Sequence, residues 1–236
     1  NTKNSSVKVD EFADIKIIRY EIPGWENLDL KEQKLVYYLT QAGLSGRDII
    51  WAQNYKHHLK IRKALKNVYA NYEGDKDSED WKAFETYLKR FWFSNGIHHH
   101  YSNDKIPPGF SPEYLEYLLS ETGTELGGEP FEVIFNDVDS KKVNKKKGVD
   151  NVAASAGNFY DPGITSEEVA DYYASVDKGP ADRPVEAGLN SKLVREGGKL
   201  KEEVYKVGGM YGPALEESVK RILSVKLKLW LFDYPY

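Results

Sequence analysis

Residues 48–72, DIIWAQNYKHHLKIRKALKNVYANY, form the longest helical pattern in the chain. Their apolar residues recur mostly at intervals of three and four, which places them along one side of an α-helix. The acidic stretch Asp75–Asp80 follows Gly74 and ends the pattern. We therefore predict one helix from Asp48 to Tyr72, whose buried seam consists of Trp51, Tyr55, Leu59, Ile61, Leu65, Val68 and Tyr72.

Three more helices are predicted in the first half of the chain. Asp29 and Glu32 form a capping-box pattern ahead of a helix that ends at Gly43. Apolar spacing predicts a helix over residues 81–91. A Ser-Pro pair at 111–112 begins another, because proline is favoured at the first helical position.

The second half of the chain mixes strand and helix patterns. Residues 130–135, PFEVIF, alternate and are bounded by turn residues, which predicts a strand. The small apolar residues 149–156 predict a buried strand. A capping box at 165–168 opens a helix. Residues 191–207 are predicted to form a hairpin that turns at a glycine pair.

The last part of the sequence changes period abruptly. Gly212-Pro213 begins a helix that continues through Ile222. From Val225 to Phe232, every second residue is Val or Leu, which is the period of a strand. We therefore treat residues 225–236 as an atypical, strand-like tail.

These patterns predict an α+β fold. A helical N-terminal half is expected to pack on a small, mostly antiparallel sheet or partial β-barrel. The expected organisation is a disordered or extended leader over 1–11, a mainly helical part over 12–128, a strand-containing part with helices over 129–224, and the tail. All of these parts are expected to form one compact unit.

Composition excludes several classes of protein. The 236 residues are 40% hydrophobic and 13% aromatic, which is a globular composition that allows one domain or two small ones. The net charge of -4 argues against a strongly basic nucleic-acid-binding protein. No run of about 18 apolar residues occurs, so no membrane span is predicted. The absence of cysteine excludes disulfides, thiolate nucleophiles and cysteine-ligated metals. A soluble protein of the cytoplasm or the periplasm agrees with all of this.

All five histidines lie in two clusters, His57-His58 and residues 98–100. Zinc needs three or four converging ligands, and adjacent helical residues point about 100° apart. The first pair is therefore a poor chelator. In an extended loop, His98 and His100 would share one side, so a metal-dependent enzyme built on this triplet is one hypothesis. The alternative is a loop whose histidines form hydrogen bonds or remain solvated. No H-E-x-x-H, G-x-S-x-G or Walker motif occurs.

Two loops, residues 94–104 and 155–163, are rich in amide and phenol side chains. Each follows an apolar segment, an arrangement by which a scaffold presents groups to a ligand. Asn-Gly and Asp-Pro-Gly also form ordinary turns. A binding role and a turn role therefore both remain open for each loop.

With these loops, the chain resembles the N-terminal part of bacterial dipeptidyl peptidase III, of the type found in gut Bacteroidetes. The resemblance runs in order from about Phe12 to Ile222. The motifs are specific together, although none is specific alone. The matching stretches are residues 12–20, 46–50, 53–56, 87–90, 92–102 and 158–160.

The resemblance implies one lobe of a two-lobed zinc exopeptidase that releases dipeptides from peptide N-termini. In that family an H-E-x-x-G-H motif and a downstream Glu lie in a helical lobe, and the other lobe has a small β-barrel with helices around it. The zinc polarises the scissile carbonyl and activates water, with the motif Glu as general base, while the peptide adds to a strand edge. The motif is absent from this chain, so the resemblance implies no catalytic residue and no zinc or other cofactor in the chain itself.

The residues that carry over are those of the substrate cleft. Residues 95–101 match a segment that borders the site of the substrate's N-terminal residues, and Tyr101 is the candidate for an aromatic wall there. The second loop contributes through its Asn-Phe-Tyr stretch. The implied cleft residues are Asn95, Gly96, His100, Tyr101, Asn158 and Tyr160.

The chain is therefore expected to be a substrate-cleft fragment of a dipeptidyl peptidase III, inactive alone, from a truncated gene, a shifted frame or an isolated domain. Its expected partners are peptides and the missing zinc lobe of the same enzyme. The alternative is a stand-alone, non-catalytic peptide-binding module that uses a sheet edge and the two loops. The tail over 225–236 is expected to pair with another chain's strand edge, which would cause self-association.

Overall fold

The structure is a computed structural model that describes residues 7–182, 188 and 190–228, with side chains through residue 224. In this part of the chain it contains eight α-helices, one short 3-10 helix and two antiparallel two-stranded hairpins. The predicted α+β class is confirmed. Contacts divide the chain into two compact units, residues 1–46 with 216–236, and residues 47–215.

The first unit begins with a hairpin of β1 (Lys8–Phe12) and β2 (Ile15–Ile18). A 3-10 helix at Trp25–Asn27 follows, and then α1 (Leu30–Ser45). The predicted capping box at the start of α1 is confirmed, since the Asp29 carboxylate accepts from the backbone of the residue three positions on. Because β1 begins at Lys8, part of the predicted leader over residues 1–11 is paired in a hairpin. Residues 1–6 of the leader lie outside the described residues.

The second unit carries the helical core. In chain order its elements are α2 (Arg47–Asn54), α3 (His58–Asn71), α4 (Glu79–Ser94), α5 (Pro112–Glu121), α6 (Gly128–Phe135), α7 (Ser166–Ser175), β3 (Ser191–Glu196) and β4 (Lys199–Val204). A last helix, α8 (Gly212–Lys228), follows β4, and its residues from Glu216 onward are assigned to the first unit. The predicted hairpin, with its turn at Gly197 and Gly198, is confirmed.

Residues 48–72 form two helices, so the prediction of one continuous helix is wrong. The chain leaves the helix after α2 and re-enters it at α3. Tyr55, His57 and His58 are all buried at this break. In a continuous helix, positions two apart point about 200° away from each other. A break is therefore needed to bury Tyr55 and His57 in the same core.

Residues 130–135 belong to α6, so the predicted strand is wrong. Short apolar runs fit both helical and strand periods, and here the buried residues Pro130, Val133 and Ile134 follow the helical spacing. The left-handed N-cap Gly127, with φ 87°, starts the helix. Pro130 lies in the first turn, where a missing N–H costs nothing.

Residues 149–156 form turns in place of the predicted buried strand. The Asp150 carboxylate accepts hydrogen bonds from the backbone N–H groups of Val152, Ala153 and Ser166. These N–H groups thus bind a side chain and have no strand partner. A strand was predicted from apolar composition alone, but the local hydrogen bonds of Asp150 stabilise a turn here.

The tail also departs from the prediction. Residues 225–228 continue α8, so they are helical where a strand was predicted. A helix that has already formed gains one hydrogen bond for each added residue, which outweighs a short alternating pattern. Residues 229–236 lie outside the described residues, and so does the rest of the tail prediction.

The predicted boundary between residues 128 and 129 lies at the start of α6. The helix α6, which begins there, packs into the same core as α3, α4 and α5. The largest fully buried side chains all lie in the second unit: Tyr55, Ile61, Leu65, Phe84, Leu88, Phe91, Ile97, Leu115, Leu118, Ile134, Ile164 and Leu193.

The prediction that the chain contains no membrane span is confirmed for the part of the chain that the structure describes. None of the helices there is both long enough and apolar enough to cross a bilayer.

Candidate functional site

The last turn of α2 holds both of the loops that were singled out in the sequence. The Asn54 side-chain amide donates to the backbone oxygen of Asn95 over 3.0 Å. On the second loop, the backbone N–H of Asn158 donates to the Gln53 oxygen over 2.7 Å, and its side-chain amide donates to the Ala52 oxygen over 3.1 Å. Two loops that are distant in sequence are thus fixed to one point.

Asn95 and Gly96 end α4 and direct the chain into the first loop. Asn95 has the left-handed conformation, with φ 52°, and the Gly96 N–H donates to the Phe91 oxygen, so Asn takes the left-handed position at this helix end that is more often glycine. Gly96 has φ 148°, and a Cβ on it would lie 1.9 Å from Cε1 of His58. Both predicted cleft residues therefore position the backbone.

His58 is held in one neutral form by the same loop. Its Nε2 accepts a hydrogen bond from the Ile97 N–H over 3.0 Å, so Nδ1 carries the proton and donates to the Trp51 oxygen over 3.1 Å. Burial lowers the pKa of His58 to about 3. This side chain therefore links α2, α3 and the loop, and it is not free to exchange protons near neutral pH.

His98 points into the same interior. Its Nε2 donates to the backbone oxygen of Asp139 over 2.7 Å, and its ring centre is 5.7 Å from that of Tyr55. The Tyr55 hydroxyl donates to the Asp139 carboxylate over 2.7 Å. Burial lowers the pKa of His98 to about 4, and burial together with Asp139 raises the pKa of Tyr55. These contacts form a buried polar network beneath the two loops.

His100 and Tyr101 lie farther along the first loop. The His100 ring meets the Phe93 ring edge-on at 4.8 Å, and the Tyr101 ring centre is 4.5 Å from that of His100. Tyr101 is 83% exposed, so its ring is available to a ligand. Of the six predicted cleft residues, Tyr101 is the one that the structure leaves most accessible.

The histidine triplet does not form an extended segment. The loop turns back, with the His99 N–H donating to the Asp104 oxygen and the Asn103 N–H donating to the His99 oxygen. The rings of His98 and His100 therefore have different neighbours. Within the described ranges, no group of three or more His, Cys, Asp or Glu side chains could hold a metal ion.

The second loop runs beside β3. The Leu193 N–H donates to the Phe159 oxygen, and the Asp161 N–H donates to the Leu193 oxygen, both over 2.9 Å. These bonds fix Tyr160 in a parallel bridge with Leu193. The Tyr160 side chain is half-buried, and burial raises the pKa of its phenol.

A cavity of about 190 Å³ lies at this loop, and both Asn158 and Tyr160 line it. Tyr55 and Asp139 line it as well, from elsewhere in the chain. Its volume is below the roughly 300–1,000 Å³ of drug-sized sites, so it suits a single side chain. The other four predicted cleft residues are not in its lining.

Tyr55 and Asp139, which join the loops to the cavity, were not among the predicted site residues. Tyr55 was assigned to the apolar seam of a helix, and the helix break that turns its hydroxyl toward Asp139 was not recognised. Asp139 lies in a turn with a positive φ of 50° and carried no sequence signal of its own. Contacts between residues 84 positions apart arise only in the tertiary structure.

Comparison with known proteins adds no relative. No protein-family model matches the chain, and no match is found among the curated proteins. Functional inference therefore depends on the motifs of the sequence and on the geometry of these two loops.

Proposed function

We propose that the chain is the substrate-cleft part of a zinc-dependent dipeptidyl peptidase III, and that it binds peptides but does not hydrolyse them alone. The observation that carries the proposal is the attachment of both cleft loops to the last turn of α2, through Asn54 and Asn158. The resemblance assigns these two loops to a single cleft. Their common anchor supports that assignment.

In this proposal, Tyr101 and Tyr160 contact the peptide, while Asn95, Gly96 and Asn158 position the loops. An exposed tyrosine offers a broad apolar ring with a polar tip, which suits recognition of a peptide side chain. The half-buried Tyr160 lies at a cavity of side-chain size. This chain would therefore bind and orient the peptide.

His98 and His100 do not form a zinc site together, because their rings have different neighbours and His98 donates to a backbone oxygen. The proposal assigns no catalytic step to this chain. In the proposal, zinc chemistry belongs to the missing lobe.

The surface of the first unit favours a fragment over a self-contained module. Among its described residues, the buried apolar side chains are Ile15 and Ala42. Self-contained domains seldom leave so much apolar surface uncovered. The exposed set in residues 7–46 is Val7, Val9, Ile18, Tyr20, Ile22, Leu30, Val36, Tyr37, Leu39 and Leu44.

The alternative, a stand-alone peptide-binding module, needs a free strand edge. The outer strand β4 is rich in charged residues, KLKEEV, which is typical of an edge protected from pairing. The backbone N–H of Glu202 in this strand already donates to the Tyr172 hydroxyl over 2.9 Å. These features favour the loops over this edge as the peptide contact.

The proposal is tested by titrating the purified chain with a short peptide that has a free N-terminus and measuring binding by calorimetry. Replacing Tyr101 with Ala should weaken binding about tenfold, which is about 1.4 kcal/mol. Tyr20→Ala is the matched control, because Tyr20 is 82% exposed and lies outside the loops. Equal affinities of the two variants would contradict the cleft assignment.

A second test separates the fragment from the stand-alone module. The source DNA beyond the codon for Tyr236 is read in all frames for an H-E-x-x-G-H motif and a downstream Glu. Their presence supports the fragment, and adding the polypeptide that they encode should then restore dipeptide release. Their absence, with peptide binding retained, would favour the module.

The hypothesis of a metal enzyme on the histidine triplet has its own test. Zinc content and hydrolysis are measured for the chain and for the double variant His98→Ala/His100→Ala. Stoichiometric zinc and hydrolytic activity that both disappear in the double variant would overturn our proposal. We expect neither zinc retention nor activity from the chain alone.

Self-association remains part of the proposal. The exposed apolar side chains of residues 7–46 would pair with a second copy when the zinc lobe is absent, and the alternating sequence of residues 225–232 would do the same. Sedimentation velocity at increasing concentration should show a growing dimer fraction. A strictly monomeric profile at high concentration would contradict it.

A further inference from the structure

A groove with a volume of about 880 Å³ lies between α3 and the loop over residues 123–127, which joins α5 to α6. This volume falls within the roughly 300–1,000 Å³ typical of ligand sites. The Asn67 side-chain amide donates to the Thr124 hydroxyl over 2.8 Å and so ties the loop to the helix. The two walls of the groove are therefore joined.

Small side chains give the groove its apolar lining. Ala64 and Leu126 are buried there, and Ala70 also lines it. Gly123 contributes open space, because a Cβ at this position would have no atom within 4 Å. The lining therefore has room for one apolar side chain from outside.

The groove has the opposite charge to the protein as a whole. The chain carries a net charge of -4, yet Lys60, Lys63 and Lys66 line the groove against a single acidic residue, Glu125. These lysines are exposed and follow one another along α3 at intervals of three. Successive positions at this interval are neighbours on a helix surface.

The ammonium groups of these three lysines make no ion pair or hydrogen bond with any other residue that the structure describes. Two nearby cations differ in this respect. Lys56 pairs with Glu129 over 3.0 Å, and Arg62 pairs with Asp48 over 2.5 Å. The groove lysines are therefore available to an anionic partner.

We propose that this groove binds an acidic peptide segment of a partner protein. Carboxylates of the segment face the three lysines, and one apolar side chain rests on Ala64 and Leu126. Charge complementarity identifies the occupant, since unlike potentials attract and like charges repel at an interface. The inference does not rest on the proposed peptidase function.

The test uses a short peptide of glutamates around one central leucine, with fluorescein on its N-terminus. The blocked N-terminus keeps the probe from acting as a substrate-like free amine. Fluorescence anisotropy with the full chain should report binding that weakens as salt rises. The double variant Lys60→Glu/Lys63→Glu should weaken it at least about tenfold.

The matched control is Lys145→Glu/Lys146→Glu, which makes the same change in net charge on an exposed loop. Binding to the control should stay within about twofold of the original chain, because exposed charges are screened by salt. Equal weakening in both double variants would overturn the proposal, because it would show attraction to positive charge in general.

Shape is tested separately from charge. Ala70→Phe places a ring in the groove without changing its charge and should weaken the leucine-containing peptide. A peptide of glutamates alone should bind more weakly than the leucine peptide. If the two peptides bind with equal affinity, or if inorganic polyphosphate binds as tightly as the leucine peptide, the proposal of a peptide ligand is wrong. The groove would then be a site for anions in general.

Discussion

The conformation of the loop after α4 depends on individual residues that close packing does not allow to be substituted. Gly96 passes directly over the His58 ring, and that ring bridges the Ile97 N–H and the Trp51 oxygen. A cleft residue predicted for binding is thus required by packing. The geometry of the site therefore depends on the absence of a Cβ at Gly96 and on the tautomer of His58.

We expect Gly96→Ala to destabilise the protein by about 3 kcal/mol or more, because its Cβ would lie 1.9 Å from the His58 ring and φ is 148°. Gly198→Ala is the control, since φ there is 79° and no atom lies within 4 Å. It should cost only about 1–2 kcal/mol, for backbone strain. Denaturant unfolding measures both variants, and similar losses would contradict the role of the ring.

The buried histidines predict a pH dependence of stability. His58 and His98 have pKa values lowered by burial to about 3 and about 4, against about 6.5 when unfolded. Between about pH 6.5 and 4, the unfolded chain therefore binds protons that the native state does not. Stability is retained above pH 6.5 and falls as pH decreases, by up to about 1.4 kcal/mol per pH unit for each histidine.

Measurement of the unfolding free energy from pH 7 to pH 5 checks this dependence. In the variant His98→Gln, the mean slope over this range should be smaller by about 1 kcal/mol per pH unit, because one titrating group is lost and it is only partly protonated near pH 7 in the unfolded chain. The comparison uses slopes, so a uniform loss of stability in the variant does not affect it. An unchanged slope would count against a neutral, buried His98.

Among the secondary-structure elements, helix-capping residues predicted the structure more reliably than short apolar runs did. Asp29, Ser111 and Thr165 all accept the backbone hydrogen bonds expected of N-caps. The runs over 130–135 and 149–156 fit two periods each, so tertiary contacts chose between them. A cap is local chemistry between neighbours in sequence, and that is why the sequence reveals it.

We expect Thr165→Ala to destabilise the protein by about 1 kcal/mol. The Thr165 hydroxyl accepts from the Glu168 N–H over 3.2 Å, and the Glu168 carboxylate accepts from the Thr165 N–H over 3.0 Å. Thr165→Ser keeps the hydroxyl and should lose little. Thermal or denaturant unfolding measures both, and equal losses would assign the effect to the lost methyl group.

For the whole molecule, the two units differ in what they bury. The main core cluster lies entirely within the second unit, between Trp51 and Ala156. Among its described residues, the first unit buries only Ile15 and Ala42 as apolar side chains. Because burial of apolar surface supplies most of the stability of a fold, the second unit should be the stable part.

We therefore expect residues 47–215, expressed alone, to fold cooperatively with a melting temperature close to that of the full chain. Near-ultraviolet circular dichroism and a thermal scan test this expectation. Residues 1–46 expressed alone should show no cooperative transition. A molten or unfolded 47–215 would contradict the expectation that this unit is stable by itself.

The sequence by itself determined the α+β class, the helix caps, the hairpin at Gly197-Gly198 and the two loops that carry the candidate site. These features follow from contacts between residues close in the chain. The tertiary structure decided where the long helix breaks, that residues 130–135 are helical, and how Tyr55 reaches Asp139. Those outcomes depend on which surfaces are buried together, and burial is a property of the packed core that no local pattern contains.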